Sequence, residues 1–390
     1  MTKPGRDKNL GAVLLVSHLG MNIYLFRRAL IRSLLESGVK VLVAVPRDRH
    51  AEAVAELGAQ VRHYPLARGS MNPLKTPASV RAIRKIIRAT RPTLIHSFTH
   101  QPNILARLAA PKNIPLVNSI TGLGSCFLEP GTKGRVKRGL FHFLYAKTAK
   151  ACRLLVFQNQ DDRDYFTSHG LTGKAGLGLV RGSGVDISRF GPGNFSPEIL
   201  TAARAELGIN PENVVVTMAA RLIRDKGVFE FAQAAEILAT RFPGTRFLLV
   251  GEPDPGNPNA LDPKTMGHTE NMIFAGWRDD MPLVWAVSDI AVLPSYREGL
   301  PVSLQEALAS GLPVVTTDAP GCREIVNPGE NGYLVPVGDA NALADALAPL
   351  LEDQTLRAAM GKAGRRKAEK EFNADLLAEQ TIALYRKISL

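Results

Sequence analysis

Short apolar segments alternate with helical segments along nearly the whole chain, and this alternation most constrains the fold. In the first half, apolar runs such as 11–17, 39–46 and 93–98 are separated by helical stretches such as 24–38. A continuous apolar run of this length is typical of a strand buried on both faces, because helices cover both sides of a parallel sheet. The series starts again at 214–220. The sequence therefore predicts an α/β protein with two doubly wound, Rossmann-like domains facing a cleft.

The domain boundaries follow from length and local composition. A chain of 390 residues is long enough for two domains. Gly, Ser and Pro are concentrated in 181–197, as in a connection between domains. We therefore predict an N-terminal domain, a C-terminal domain and a final helix that crosses back to the first, over 1–192, 193–372 and 373–390.

Charge is divided unevenly between the halves. Residues 1–200 contain 30 Lys and Arg against 11 Asp and Glu, a net charge of +19, whereas the remainder carries −7 of the overall +12. This asymmetry predicts that the N-terminal half faces an anionic partner. Nucleic acid and anionic lipid are the two obvious candidates. The sequence contains no known nucleic-acid-binding module, so nucleic acid is not expected.

Cysteine usage and hydropathy indicate the compartment and argue against a metal site. Cys126, Cys152 and Cys322 lie far apart and form no CxxC pair, so neither a zinc site nor a disulfide framework is indicated. The sparse count is typical of the reducing cytoplasm. The first apolar run is too short for a signal peptide. The sequence has no run of about 18 apolar residues, so no transmembrane helix is expected.

The loop "RLIRDKG", 221–227, follows a predicted strand and precedes a predicted helix. It places Arg221 and Lys226 at the carboxyl end of the sheet, beside a helix N-terminus. Two cations, free backbone N–H groups and the positive end of a helix together suit a diphosphate. The alternative is a solvated basic loop in which Gly227 only serves the turn.

The stretch "YREGLPVSLQEALASG", 296–311, follows another buried strand. Glu298 lies in the turn, where Gly299 lets the backbone approach a ligand, and Glu306 lies in the helix that follows Pro301. The alternatives are that Glu298 is an ordinary surface residue and that "SLQE" is a capping box occupying Glu306.

Three loops of the N-terminal half carry further candidates. His96 ends a strand and is expected to be structural, whereas His100, in the loop beyond it, is better placed for the cleft. Gly20 follows the first strand, where its backbone N–H can approach a phosphate or an acceptor. The segment 120–125 is a second Gly-bearing loop at a strand end.

The segment 132–153 combines many cations with Leu140, Phe143 and other apolar residues. A basic amphipathic helix of this kind is typical of a protein that binds a membrane surface. Near an anionic bilayer each cation contributes roughly 1 kcal/mol, so several together can hold a protein there. The alternative is a helix that packs on the sheet and has a solvated cationic edge.

These motifs together resemble a known family. "EGLPVSLQE" is similar to the E-x(7)-E signature of the retaining group 1 (family four) glycosyltransferases, which have the two-domain GT-B fold, and "ARLIRDKG" resembles their Arg…Lys diphosphate motif. "GSGVDISRF" and "NGYLVP" continue the pattern. "HSFTHQPN" and "SITGLGSCF" resemble the bacterial enzymes that act on undecaprenyl-diphosphate-linked sugars of capsule, O-antigen or N-glycan.

The resemblance implies a role for each matching residue. Glu298 would contact the donor sugar, Glu306 the donor ribose, and Arg221 and Lys226 the leaving diphosphate. Backbone groups at Gly299 and Leu300 would help to hold the sugar and phosphates, His100 would lie near the anomeric centre, and Gly20 would contact the donor. The loop "HLGMN" has one glycine where the family normally has two.

The resemblance also implies substrates and location. We expect a nucleotide-sugar donor, UDP-linked by similarity to the subgroup, a polyprenyl-diphosphate-linked saccharide acceptor, no metal or other cofactor, and a cytoplasmic protein peripheral on the inner face of the membrane. One alternative is a GT-B transferase with a soluble acceptor. Another is a membrane-associated protein that binds a nucleotide-sugar without turnover.

Overall fold

The computed structural model describes residues 10–66, 76–124, 127–254, 257, 259–262 and 270–389. The chain divides into two compact units. Unit 1 contains Met1–Gly184 and Ala374–Leu390, and unit 2 contains Val185–Asn373. Each unit is built on one parallel sheet, as the alternating pattern predicts.

Unit 1 holds a seven-stranded sheet in the order β3-β2-β1-β4-β5-β6-β7. All of its strand pairs are parallel. Its strands are β1 Ala12–Val16, β2 Lys40–Val45, β3 Gln60–His63, β4 Leu94–Phe98, β5 Leu116–Ile120, β6 Leu154–Phe157 and β7 Gly176–Leu179.

The two edge strands of this sheet, β3 and β7, are absent from the sequence prediction. Their sequences are "QVRH" and "GLGL", and most of their residues are exposed or half-buried. An edge strand is covered less completely than a central one, so it does not need a continuous apolar run. The central strands β1, β4 and β5 are buried throughout and were predicted from that property.

The helices of unit 1 differ from the prediction in two places. Residues 24–38 do not form one helix, because Arg27 separates α1 from α2 with a backbone φ of −130°. His100 does not lie in a loop but begins α5. The helices are α1 Gly20–Phe26, α2 Arg28–Glu36, α3 Ala51–Glu56, α4 Thr76–Thr90, α5 His100–Ala109, α6 Gly131–Thr148, α7 Gln160–Ser168 and α14 Ala374–Ile388.

The last helix, α14, belongs to unit 1 through its packing. Leu377, Ile382 and Tyr385 are buried in the same apolar cluster as β1 and α2. At its start, Asp375 forms an ion pair with Arg32 of α2. Burial of an apolar helix face contributes far more than an exposed ion pair, so the apolar cluster is what holds α14 on this sheet.

Unit 2 holds a six-stranded parallel sheet in the order β10-β9-β8-β11-β12-β13. Its strands are β8 Val214–Ala219, β9 Thr245–Val250, β10 Met272–Gly276, β11 Ile290–Leu293, β12 Val314–Thr317 and β13 Gly332–Val335. Its helices are α8 Pro197–Glu206, α9 Val228–Ala239, α10 Met281–Ala286, α11 Val302–Ala309, α12 Ala340–Glu352 and α13 Gln354–Glu371.

The division between the units lies after Gly184, earlier than the predicted boundary at residue 192. The segment that follows packs on unit 2. Val185 and Phe190 are buried in the core of that unit, and Arg365 of α13 donates hydrogen bonds to the carbonyls of Ile187 and Phe190. These contacts decide the boundary, whereas the Gly-rich composition marks only the region in which it lies.

Two further expectations concern membrane-spanning helices and the cysteines. Among the described residues, no helix is both long enough and apolar enough to span a bilayer. Cys152 and Cys322 are buried free thiols, and Cys126 lies outside the described residues.

Candidate active site

The strand order of unit 2 places two predicted loops next to each other. The order runs outward from β8 in one direction and from β11 in the other, so the sheet reverses between these two neighbours. Ligands of doubly wound sheets bind beyond the carboxyl ends of the strands at such a point. The loop after β8 carries Arg221 and Lys226, and the loop after β11 carries Glu298. The topology therefore brings these three predicted residues to one edge of one sheet.

Lys226 and Glu298 form a direct ion pair, the Lys226 Nζ donating to Glu298 Oε1. Both side chains are largely buried, with 16% and 12% of their surface exposed. Such a pair costs desolvation energy and is held only where the surrounding structure fixes both groups. The pair excludes the alternative that Glu298 is an ordinary surface residue.

The Lys226 loop is held against the end of β11 by close backbone packing. Gly227 has a φ of +77°, and a Cβ on it would lie 2.0 Å from the carbonyl oxygen of Pro294. Beside it, the Asp225 carbonyl accepts hydrogen bonds from the Tyr296 N–H at 2.9 Å and from Ser295 Oγ at 3.0 Å. Only glycine fits this close to the Pro294 carbonyl, so Gly227 allows the loop to pack against the end of β11 as well as to turn.

The turn that carries Glu298 is fixed from its other side as well. The Glu298 N–H donates to the carbonyl of Pro320 at 2.9 Å. A Cβ on Gly321 would lie 2.5 Å from the Glu298 carbonyl oxygen and 2.7 Å from that of Gly299. Leu300 is buried in the core of the unit, so its side chain anchors the turn while its backbone stays at the site. The turn is therefore rigid before any ligand arrives.

Arg221 lies on the same loop as Lys226 but is more exposed. Its Nη1 donates to Asp254 Oδ2 at 2.6 Å, and about half of its side-chain surface is accessible. Asp254 is only 12% exposed, so the pair is accessible from the arginine side alone. Arg221 therefore keeps accessible surface that can meet a ligand oxyanion.

Glu306 lies within α11 and contacts Trp285 of α10. The Trp285 indole Nε1–H donates to Glu306 Oε2 at 3.1 Å. Helix α11 begins after Pro301 and has no side-chain cap, so the capping-box alternative for "SLQE" is wrong. Burial raises the pKa of Glu306 to about 7, against an ordinary value of 4.5, and the Trp285 hydrogen bond partly opposes the rise.

The raised pKa of Glu306 predicts a pH-dependent stability. Between pH 4.5 and about 7 the folded protein binds more protons at this carboxyl than the unfolded chain, so stability falls as pH rises through this interval and levels off above it. Glu306→Gln removes this dependence. The free energy of unfolding of this variant, measured relative to wild type in urea, should therefore be about 2 kcal/mol higher at pH 8 than at pH 5. The exposed Glu330→Gln is the control, and a wild-type-like pH dependence in Glu306→Gln would contradict the prediction.

Unit 1 shows the same reversal of strand order between β1 and β4. The loops that follow these strands are joined by a contact between Thr99 Oγ1 and His18 Nδ1 at 3.1 Å. Thr99 has a φ of +71°, which is strained for a β-branched residue and is typical of functional sites. Gly20 and His100 each begin a helix at this edge of the sheet.

The backbone N–H of Gly20 already has a hydrogen-bond acceptor within this chain. It donates to Asp48 Oδ2 at 2.5 Å, and the Met21 N–H contacts the same oxygen at 3.3 Å. A Cβ on Gly20 would lie 2.4 Å from the other Asp48 oxygen. The residue allows a close approach, as the sequence indicates, but the group that approaches is a carboxylate of the protein.

His100 is fixed by two hydrogen bonds. Its Nε2 lies 2.7 Å from the Gly122 carbonyl oxygen, and its Nδ1 lies 2.8 Å from the Tyr145 hydroxyl. A carbonyl only accepts, so Nε2 carries the hydrogen and Nδ1 accepts from Tyr145. Burial lowers the pKa of His100 to about 4, so the ring is neutral at pH 7. The ring positions the loop at Gly122, and both nitrogens have protein partners.

Sequence reasoning missed the partners that fix these side chains. Trp285 is one of only two tryptophans in the chain, which is the signal that could have singled it out. Tyr296, whose hydroxyl donates to Glu230 at 2.6 Å, opens the predicted stretch. Asp254 and Asp48 carry no comparable signal, because nothing in the sequence pairs them with Arg221 or Gly20.

Within the described ranges, no three His, Cys, Asp or Glu side chains are grouped as metal ligands would be.

Comparison with known families assigns both halves of the chain. Residues 20–175 match the family described as Glycosyl transferase 4-like domain. Residues 201–367 match the family described as Glycosyl transferases group 1. The two matches contain every site residue named above except His18, which lies two residues before the first match.

Two curated relatives and one solved structure illustrate the similarity. The chain is 29% identical over 378 residues to the N,N'-diacetylbacillosaminyl-diphospho-undecaprenol alpha-1,3-N-acetylgalactosaminyltransferase of Campylobacter jejuni, covering 96% of this chain and 98% of that protein. It is 26% identical over 309 residues to the UDP-Gal:alpha-D-GlcNAc-diphosphoundecaprenol alpha-1,3-galactosyltransferase of Escherichia coli, covering 77% and 76%. The structure of Anabaena Alr3699/HepE in complex with UDP has a TM-score of 0.78 at 21% identity, covering 96% of this chain and 100% of that one.

Proposed function

The chain belongs to the group 1 glycosyltransferases of the GT-B fold, and from this premise we propose that it is a retaining transferase. It moves a hexose or N-acetylhexosamine from a UDP-sugar to a saccharide carried on a polyprenyl diphosphate. The product belongs to the assembly of a bacterial cell-surface polysaccharide or glycan. The observation that carries the proposal is the Lys226–Glu298 pair at the reversal point of the unit 2 sheet.

The reaction follows from the charges at this edge. The bond between the anomeric carbon and the phosphate oxygen breaks, and the departing diphosphate gains charge that Lys226 and Arg221 stabilise. Glu298 contacts the sugar hydroxyls, and Glu306 accepts from the ribose. The acceptor hydroxyl attacks on the face from which the diphosphate leaves, and its proton passes to the leaving phosphate oxygen. This route needs no carboxylate nucleophile, unlike that of a retaining glycosidase, and we propose that it needs no bound metal.

The choice of substrates rests on the relatives. The Campylobacter and Escherichia proteins are named for acceptors linked to undecaprenol through a diphosphate, and the second is named for a UDP-linked donor. The Anabaena structure was solved with UDP. The net charge of +19 on residues 1–200 favours an acceptor at an anionic surface.

Helix α6 supplies the surface that would meet the membrane from the cytoplasmic side. Val136, Leu140 and Phe143 lie on one helical face and are exposed by 71%, 48% and 60%. The same helix presents the exposed cations Arg135 and Lys147. An exposed apolar ridge beside cations suits the headgroup boundary of an anionic bilayer. Phe141 and Tyr145 on the opposite face are buried, so α6 both packs on unit 1 and presents this ridge.

A triple variant tests the membrane contact. Replacing Val136, Leu140 and Phe143 by serine should lower binding to phosphatidylglycerol vesicles at least about 10-fold, because the apolar area buried in the bilayer is lost. Vesicle sedimentation measures the change. Ile237→Ser, on an exposed helical position of unit 2, should bind as wild type does. Unchanged binding of the triple variant would remove α6 from the membrane contact.

The donor is identified by thermal denaturation with UDP, GDP, ADP, TDP and their common sugars. A ligand at 100 times its dissociation constant should stabilise the protein by about 2.7 kcal/mol. We expect the shift with UDP and UDP-sugars, followed by transfer to a polyprenyl-diphosphate-linked acceptor in the presence of EDTA. NMR coupling of the anomeric proton in the product then reports retention. A product of inverted configuration, or no shift with any nucleotide, would overturn the proposal.

A further inference from the structure

Arg27 is the residue that breaks the helix predicted over 24–38, and its side chain turns into the interior of unit 1. Only 7% of its surface is exposed. The guanidinium carbon lies 4.3 Å from the centre of the Phe98 ring. Nη1 donates to the carbonyl of Phe26 at 3.0 Å, and the buried Nε has no hydrogen-bond partner among the described residues. A cation is therefore placed in the core with at least one donor that no described residue satisfies.

No carboxylate neutralises this cation within the described part of the chain. The neighbouring polar groups are His96 and the Tyr385 hydroxyl, which bond to each other, and Ser119, whose Oγ lies 2.8 Å from His96 Nε2. Burial and the nearby Arg27 charge lower the pKa of His96, so its ring is neutral. Buried charges in proteins are normally paired, because an unpaired one is costly. The buried Arg27 guanidinium therefore lacks a counter-charge among the described residues.

A cavity opens beside Arg27 at the carboxyl edge of the sheet. Its volume is about 30 Å³, against the roughly 10–15 Å³ that one water needs. Beyond Arg27 and His96 it is lined by polar residues that follow β6 and β7, among them Gln158 and Ser183. Neither of these two side chains makes a hydrogen bond to another described residue. The cavity thus offers a cation and free hydrogen-bonding groups on several sides.

We propose that this cavity is an anion site, in which Arg27 binds a phosphate-class oxyanion with help from Gln158 and Ser183. Guanidinium groups suit phosphate because their planar donors match its oxygens. The oxyanion is either free inorganic phosphate or a phosphoryl group carried by a substrate of the transferase. The second source presupposes the proposed function, whereas the first does not.

Thermal denaturation of the full chain with inorganic phosphate tests the site. Wild type should rise in Tm by about 5 °C at 100 times Kd, with potassium chloride at equal ionic strength as the blank. Arg27→Met should lose this response and, without phosphate, melt at or above wild type, because an apolar group often replaces an unpaired buried charge without loss. The matched control is Arg62→Met, since Arg62 is exposed and also donates to one carbonyl, at 2.9 Å. Arg62→Met should respond as wild type does.

A second variant keeps the test decisive if Arg27→Met folds poorly. Ala378 lines the cavity from α14 and is buried, so Ala378→Val fills the space while it retains Arg27. It too should lose the phosphate response. Equal responses of wild type, Arg27→Met and Ala378→Val would overturn the proposal.

Geranyl diphosphate, a short polyprenyl diphosphate, identifies the source of the oxyanion. A response to inorganic phosphate that depends on Arg27 assigns the site to the free ion. A response to geranyl diphosphate alone, again dependent on Arg27, assigns it to a substrate phosphoryl group. If neither probe shifts wild type, the site does not exist, whatever the outcome of the UDP experiment.

Discussion

Replacing Glu298 by glutamine is expected to lower the rate of sugar transfer about 100- to 1000-fold, the range typical of removing one preorganised polar group from an active site. The amide is nearly the same size as the carboxylate, so the turn that carries Glu298 should keep its packing against Pro320 and Gly321. What is lost is the negative charge that fixes Lys226 and that, in the proposed function, faces the sugar. Steady-state transfer to a lipid-linked acceptor measures the change.

Binding of UDP separates the roles of the two members of this pair. In Glu298→Gln the Lys226 ammonium has lost its counter-charge, so UDP should bind as tightly as in wild type or more tightly. Lys226→Met should instead weaken UDP binding and transfer together, because the cation that we propose meets the diphosphate is gone. Glu330→Gln, at an exposed position of unit 2, serves as the control. Transfer by Glu298→Gln at more than a third of the wild-type rate would refute the role of Glu298 at the sugar.

Replacing Gly227 by alanine is expected to destabilise unit 2 by about 3–5 kcal/mol. One part is the left-handed backbone at a φ of +77°, which costs a residue with a Cβ roughly 1–2 kcal/mol. The larger part is a Cβ only 2.0 Å from the Pro294 carbonyl oxygen, which forces the loop away from β11. Because Lys226 is the preceding residue, transfer should fall as well.

Gly208→Ala separates these two contributions. Gly208 has a φ of +69°, and a Cβ there would meet no atom of the described residues within 4 Å. This variant should therefore lose only the 1–2 kcal/mol of backbone strain. Urea unfolding of both variants gives the difference. If Gly227→Ala is no less stable than Gly208→Ala, the close approach to Pro294 does not restrict the site.

Much of the fold was predictable because burial leaves a local signature. A strand covered on both faces is mostly apolar, and β1 and β11 show this at every position of the sequence. The edge strands β3 and β7 escaped prediction because they are partly exposed. The break at Arg27 escaped as well, since arginine is a good helix former and the apolar spacing continues across it.

The candidate site was predictable in part, and the limit is again physical. Arg221, Lys226 and Glu298 were predicted to share one edge because each lies in a loop after a buried strand, and the strand order places those loops side by side. Their partners were not, because a contact between residues far apart in sequence leaves no local pattern. The Lys226–Glu298 pair spans 72 positions, and the Gly20 contact with Asp48 spans 28.

The sequence by itself therefore determined the alternating α/β architecture, the family resemblance and the loops that carry the chemistry, since each depends on neighbouring residues alone. Only the tertiary structure decided which groups meet. It set β8 beside β11, and so Lys226 against Glu298. It placed Trp285 on Glu306 and turned Arg27 into the core. Strand order and side-chain packing bring distant residues together, and no local property of either residue in such a pair specifies the other.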